Sequence, residues 1–155
     1  MRMFFVLVII AVVPMLLLAA NAKVVYFDDH LNPSVVNVSF QKDEDIVLAI
    51  FNKLASPSSN FKTFVPADVL NAYFFVETAL VLDLKSSSLK AFDFLQERYF
   101  LHQVLFSIFN TFGMLDRVYI LIDGKRSEVL AKYVDIRYSF PREIWVTFPV
   151  QSYQH

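Results

Sequence analysis

The sequence predicts an α+β domain in two layers, with two helices packed on one face of a mixed, largely antiparallel sheet. Three observations lead there. The spacing of apolar residues switches along the chain between a period of two and a period near 3.6. The strand-like runs come in pairs, in the order strand, strand, helix, hairpin, helix, hairpin, without the regular alternation that builds parallel sheets. Of the 155 residues, 56% are hydrophobic and 19% charged, which suits one well-filled core and excludes a disordered chain.

The N-terminus stands apart from that domain. Residues 3–22, MFFVLVIIAVVPMLLLAANA, carry no charge, follow Arg2 and end in Ala20-Asn21-Ala22. A basic start, an apolar run and an Ala-x-Ala ending make a signal peptide, with the mature chain beginning at Lys23. The alternative is an uncleaved membrane anchor, because the run is just long enough for ~30 Å of hydrocarbon, although Pro14 and Asn21 weaken it. In both cases a single domain over 23–142, with a tail over 143–155, is expected outside the cytoplasm.

In the mature part, KVVYFDD (23–29) is β-branched and aromatic and closes on two acids, which predicts a strand. SVVNVSF (34–40) alternates Val36, Val38 and Phe40 with Asn37 and Ser39, as a half-buried strand does. From Asp43 the period changes. Asp43, Glu44 and Asp45 supply the negative charge favoured at a helix start, and Ile46, Val47, Ile50, Phe51 and Leu54 form its apolar stripe. The loop SPSSN (56–60) ends it.

Residues 69–87, VLNAYFFVETALVLDLKSS, predict two strands joined tightly near Glu77-Thr78, with Leu80, Leu82 and Leu84 alternating against Val81 and Asp83. AFDFLQERYFLHQVLFSIFNTFG (91–113) predicts a long helix. Its stripe is Leu101, Leu105, Ile108 and Phe112, widened by Phe94, Val104 and Phe109, and Gly113 stands where a left-handed stop would fall. Val118, Ile120 and Ile122, with Tyr119 and Leu121, predict a nearly all-apolar central strand. Asp123-Gly124 suits the positive φ of a type I′ turn, and SEVLAKYVDI is the expected return strand.

Composition excludes several chemistries. Without cysteine there is no disulfide, no thiol nucleophile, no cysteine-held zinc and no lipid-bearing cysteine. The formal charge is −1, and loss of Arg2 with the leader leaves 13 basic against 15 acidic residues, −2. Nothing in that balance draws the chain to nucleic acid or to an anionic bilayer. Two glycines, one assigned to a helix end and one to a turn, cannot build a phosphate-cradling loop.

The candidate sites are correspondingly few. Asp28 and His30 would share a face of an extended strand, but two ligands fall short of the three a catalytic zinc requires, and a solvated turn explains them better. His102 has no S-x-x-K, G-x-S-x-G or H-E-x-x-H context and reads as a packing or surface residue. Ser86, Ser87 and Ser88 read as helix-capping or loop residues. Gln103 and Ser107, one turn apart, are placed to hydrogen-bond to each other or to backbone where helix meets sheet. Asp123-Gly124-Lys125 is explained by the turn alone. The sequence therefore assigns no catalytic residue, no metal ligand, no cofactor-binding residue and no cofactor.

In order and spacing, these segments resemble the GerMN domain of bacterial sporulation and spore-germination proteins. The resemblance covers residues 24–142, from VYF and the acid-led helix through LVLDLKSS to FLHQVLFSIFNTFGMLDRVYILIDGK and YVDI. The residues that carry it are Gln103, Ser107 (usually Thr in the family), Gly113, Val118, Ile122, Asp123, Gly124 and Lys125, then Asp135 and the Pro141-Arg142 pair. It implies a compact α+β fold similar to ring-building motifs, in extracytoplasmic, membrane-tethered or lipid-anchored domains that serve envelope assemblies without known catalysis. This chain departs from the pattern in having one copy where the best-known member has two, no lipobox, and an added tail after Arg142.

The expected function is thus a non-catalytic extracytoplasmic domain for protein–protein assembly in the bacterial envelope, with other envelope proteins or a second copy as partner. The aromatics agree: 17 Phe, two of them in the leader, with 7 Tyr and Trp145 exceed what a two-helix domain hides, and interfaces enrich aromatics. The alternative is a binder of glycan or peptidoglycan, or a wall-modifying protein, using surface aromatics as a stacking platform. Aromatics around a concave groove with polar neighbours favour the ligand binder; a flat patch or an open sheet edge favours assembly. Nucleic acid is not an expected partner, and membrane is expected only through an uncleaved N-terminal segment.

The tail PREIWVTFPVQSYQH alternates Ile144, Val146 and Phe148 with Trp145 and Thr147 between Pro141 and Pro149. That predicts a short extra edge strand, with Trp145 and Phe148 as interface residues seeking a partner's sheet, or else a segment folded back over an exposed end of the core.

Overall fold

A computed structural model describes residues 20–41 and 43–147. The apolar run before Ala20 and the tail from Phe148, with Pro149 and His155, lie outside these residues. β1 (Ala20–Phe27) and β2 (Pro33–Phe40) form an antiparallel hairpin with Val24 opposite Val36. Then follow α1 (Ile46–Ala55), β3 (Leu70–Val76), β4 (Ala79–Leu84), α2 (Ser86–Leu89), α3 (Phe94–Thr111), β5 (Arg117–Ile122), β6 (Phe140–Pro141) and α4 (Arg142–Trp145). The larger sheet has the order β3-β4-β5-β6, and only β4 and β5 are parallel. This is the mixed, largely antiparallel α+β arrangement that the sequence predicts. The first hairpin is a sheet of its own, packed along α1 and α3. Among the described residues no helix is long and apolar enough to cross a membrane.

Alternation sets the larger sheet. Leu80, Leu82 and Leu84 of β4 lie beside Val118, Ile120 and Ile122 of β5, and five of the six are buried together in the core. The hairpin before them turns at Glu77-Thr78, with Glu77 at φ +53°. α1 starts at Ile46, capped by the Asp45 carboxylate accepting from the Leu48 N–H (3.1 Å). Asp43 and Glu44 precede the helix rather than filling its first turn, and Glu44 accepts from the Gln41 N–H instead.

α3 holds the structure together. It begins at Phe94, three residues later than expected, because Asp93 and Gln96 form a reciprocal capping box there. Phe94 therefore stands in the first turn, half-exposed, and is not the core residue expected. Beyond that turn the helix is buried on every side. Phe100, Leu101, Val104, Leu105, Ile108 and Phe109 are enclosed, and so are Glu97, His102, Gln103 and Ser107.

Buried polar groups are tolerated where they are bonded, and each of these finds its place. Glu97 accepts from the backbone N–H groups of Lys132, Tyr133 and Val134 at 2.7–3.2 Å. Gln103 donates through Nε2 to the Val25 carbonyl (2.8 Å) and accepts at Oε1 from the Phe64 N–H (2.6 Å). Ser107 donates to the Gln103 carbonyl (2.6 Å). His102 lies against the Trp145 ring, centroids 4.8 Å apart.

Three expectations are corrected. Gly113 is not a left-handed stop, since Gly124 is the glycine at positive φ. The end of α3 is closed instead by the Phe112 N–H on the Ile108 carbonyl and by Arg142, whose guanidinium donates to the Phe112 and Leu115 carbonyls (3.1 and 3.3 Å). The segment SEVLAKYVDI does not return as a strand. After one backbone pair, Ile122 with Lys125, the chain leaves β5 and its N–H groups at 132–134 go to Glu97, so β5 pairs with Phe140–Pro141. The tail is not extended at Arg142–Trp145, which form one helical turn, and Trp145 packs on His102 and Phe140. Among the described residues the tail thus covers an end of the core.

Burial, with the Arg98 charge adding to it, lowers the His102 pKa from 6.5 to about 4. Between those values the unfolded chain binds a proton that the folded protein refuses, so stability rises with pH through that window and is lost as pH falls. The His102 contribution should be on the order of 3 kcal/mol. Urea unfolding at pH 7 and pH 4 is expected to show a drop that His102→Phe reduces by about that amount; an equal drop in the variant would place the titration elsewhere.

Candidate functional site

The helices pack on one face of the larger sheet, and among the described residues the other face is partly open. Register puts Phe74, Val81 and Tyr119 in one row across β3, β4 and β5, with Val76, Ala79 and Arg117 in the next. Phe74, Val76 and Tyr119 are exposed, although all three are large and apolar or aromatic. Over this surface lies a groove of about 570 Å³ whose lining includes Val76, Val81, Arg117, Tyr119 and Arg126. A second hollow of about 230 Å³ also takes in Tyr119 and Arg126 and reaches Glu128 and Arg137.

The Asp-Gly turn brings Arg126 to this face. Asp123 and Gly124 stand at φ +50° and +74°, the left-handed pair a type I′ turn needs, and the Ile122 and Lys125 backbones exchange hydrogen bonds across it. The turn is fastened to the end of β4 on two sides. The Gly124 N–H donates to Asp83 Oδ1 (2.6 Å), while Asn71 Nδ2 donates to Asp83 Oδ2 (2.6 Å). The Asp123 carboxylate accepts from both the N–H and the hydroxyl of Ser86, which holds its pKa below the usual carboxylate range. Ser86 opens α2, so this carboxylate caps that helix from another part of the chain. The chain leaves the turn at Arg126, beside the open face. Asp83, buried at the centre of this junction, reads in the sequence only as a polar position in an alternating strand.

The family model described as sporulation and spore germination, Germane, matches residues 24–128, more than half of the chain. The chain belongs to the Germane family. No curated protein matches the chain at a significant level. Among solved structures, the Germane domain is similar in fold to the first GerMN domain of the sporulation protein GerM from Bacillus subtilis, with 15% identity, 75% of this chain and 95% of that chain covered, and a TM-score of 0.58. It is also similar to the tandem GerMN domains of that protein, at 18% identity and a TM-score of 0.55, covering 79% of this chain and 45% of the tandem. A provisionally assigned lipoprotein from Clostridium perfringens aligns at 19% identity over 81% of this chain and 89% of its own, with a TM-score of 0.56.

The residues that carry the resemblance do not meet in one place in this Germane domain. Gln103 and Ser107 are internal, where α3 meets β1. Asp123, Gly124 and Lys125 sit at the ends of β4 and β5, and the Lys125 side chain is exposed. Asp135 is a loop residue bound by the Arg137 guanidinium (2.6 Å), which keeps its pKa low. Trp145 is half-buried on His102, and Phe148 lies outside the described residues.

Asp28 and His30 do not share a strand face. Asp28 accepts from the Asn32 side-chain amide and from the N–H groups of Asn32 and His30 in the β1–β2 turn, where Leu31 takes φ +62°, and these bonds lower its pKa. No group of three or more His, Cys, Asp or Glu side chains could hold a metal among the described residues. The candidate surface instead draws on Phe74, Val76, Arg117 and Arg126, which the motifs do not mark. One signal for Phe74 and Val76 was legible, since the β3 run LNAYFFV is uncharged and closes on AYFFV with no polar residue to keep its outer face in water.

The two glycines should separate cleanly. Gly124→Ala places a Cβ at φ +74° and is expected to cost about 1 kcal/mol or more. At Gly113, where an added Cβ meets nothing within 4 Å and φ is not positive, Ala should stay within about 0.5 kcal/mol of the parent. Similar losses in both variants by urea denaturation would contradict the assignment of the turn.

Proposed function

We propose that this Germane domain is a non-catalytic, extracytoplasmic assembly module of the bacterial envelope, and that its partner docks on the β3 edge of the larger sheet. The observation that carries this is the character of that edge. Among the described residues β3 pairs only with β4, and its seven residues, LNAYFFV, include no charge and no proline. Phe74, Phe75 and Val76 follow one another at 55%, 50% and 56% exposure. Soluble proteins blunt such edges with lysine, proline or a covering element, because an open row of backbone donors and acceptors recruits another chain. An edge left apolar and open is suited to strand addition by a partner, either another envelope protein or a second copy.

Family membership supports the sporulation and germination context, and the lipoprotein among the fold neighbours agrees with an exported, tethered location. The leader and the Ala-x-Ala ending point the same way. The non-catalytic reading rests on the domain type and on His102, which is packed against Trp145 rather than presented to a nucleophile.

The proposal is tested by presenting the domain, immobilised, to envelope extracts of its host and by measuring its mass in solution. The parent should capture a partner or self-associate, and Phe74→Lys/Val76→Lys should lose that association while keeping its circular dichroism and melting temperature. A monomeric parent that captures nothing, or a double variant that associates as before, would contradict it.

A further inference from the structure

The open face carries a second feature, which shares only Val76 with the β3 edge. Arg117 and Arg126 both line the larger groove, and neither guanidinium has an ion-pair or hydrogen-bond partner among the described residues. The other described arginines differ: Arg98 lies over the Phe94 ring, Arg137 is held by Asp135, and Arg142 by the carbonyls that end α3. The charged lining of the larger groove is Arg117, Arg126 and Glu77, a local excess of one positive charge in a chain whose net charge is −1. In the smaller hollow, Arg137 is neutralised by Asp135 and Glu128 stands nearby, so the uncompensated positive charge belongs to the larger groove.

The rest of that groove is apolar or neutral. Val81, Tyr119 and Leu121 lie along β4 and β5 between Arg117, beside Thr78 at one end, and the turn that carries Arg126 at the other. A guanidinium presents a planar fork of donors that matches the oxygens of phosphate or carboxylate. An aromatic ring on an apolar floor with a few polar groups at its rim suits a ligand with flat carbon faces and hydroxyls, and about 570 Å³ falls within the size of small-ligand sites.

We propose that this groove binds an oxyanion, phosphate or carboxylate, borne on a sugar or polyol chain. The oxyanion lies between Arg117 and Arg126, the carbon skeleton lies on Tyr119, and Glu77 and Thr78 accept from hydroxyl groups. The turn at Asp123-Gly124 is then a positioning device, because it sets Arg126 at the end of the groove away from Arg117.

The test titrates the full chain with four probes at low salt: poly(glycerol phosphate), oligogalacturonate, inorganic phosphate and uncharged dextran. Calorimetry reads affinity, and the arginine side-chain N–H resonances report the site. One anionic polymer is expected to bind and to shift the Arg117 and Arg126 signals, and the polymer that does so identifies the oxyanion as phosphate or carboxylate. Arg117→Gln/Arg126→Gln should weaken it at least tenfold with circular dichroism unchanged, and Tyr119→Leu should weaken the polymer without affecting the fold. The proposal is overturned if neither anionic polymer binds, if the arginine double variant binds as tightly as the parent, or if dextran or inorganic phosphate alone binds as well as the polymer. Association through β3 is read on Phe74→Lys/Val76→Lys, so either proposal can fail while the other stands.

Discussion

The fold depends on one helix that is buried all round and still carries polar side chains. α3 is not held by an apolar stripe alone. Glu97 near its start gathers the N–H groups of 132–134, Gln103 at its middle joins Val25 of β1 to Phe64 of the loop after α1, and Arg142 closes its end. A hydrogen bond of this kind contributes about 1 kcal/mol net, whereas leaving a buried partner unsatisfied costs about 1–3 kcal/mol. The polar groups on α3 therefore act chiefly as a register: they make one placement of the first hairpin, the 61–65 loop and the 128–136 segment cheaper than every sliding alternative.

That arrangement decides where function can lie. α3 packs along β1 and shares one core with the larger sheet, so its side chains fill the space between them. What remains is the opposite face of β3–β6 and its open edge. Asp83 links the two sides of this division. Its chain position belongs to the strand that feeds the core, yet its carboxylate fixes the turn that sets Arg126 over the open face. A structural turn can in this way determine the charge of a surface without touching a ligand.

The parts of this structure written in local periodicity were legible in the sequence. Leu80, Leu82 and Leu84, the Glu77-Thr78 turn, the Val36-Val38-Phe40 face and the positive φ at Asp123-Gly124 all follow from spacing and turn chemistry. The misses share one cause, a distant partner overriding a local signal. Glu97 looks like a solvent residue until the N–H groups of 132–134 meet it from 35 and more residues away. The segment that would have returned closes on itself instead, Leu130 donating to the Val134 carbonyl and Ile136 to Glu128, and folds onto Glu97, so the hairpin after Gly124 stops at one pair. Gly113 resembles a helix stop, but Arg142 performs that task from beyond β5. In the tail, alternation suggested a strand, and the contact of Trp145 with His102 and Phe140 favours a helical turn instead. The open face was half-legible. Its aromatic surplus was countable, but only register showed that Phe74 and Tyr119 lie in one row and that Arg126 stands over it.

The central claim, that polar groups on a fully buried helix fix this fold, is tested most directly by Gln103→Leu. Leucine has similar volume and is more apolar, so area burial alone predicts equal or greater stability. The hydrogen-bond account predicts a loss of about 2–4 kcal/mol in urea unfolding, because the Phe64 N–H and the Val25 carbonyl would be left without their partner. A variant as stable as the parent, or more so, would contradict it.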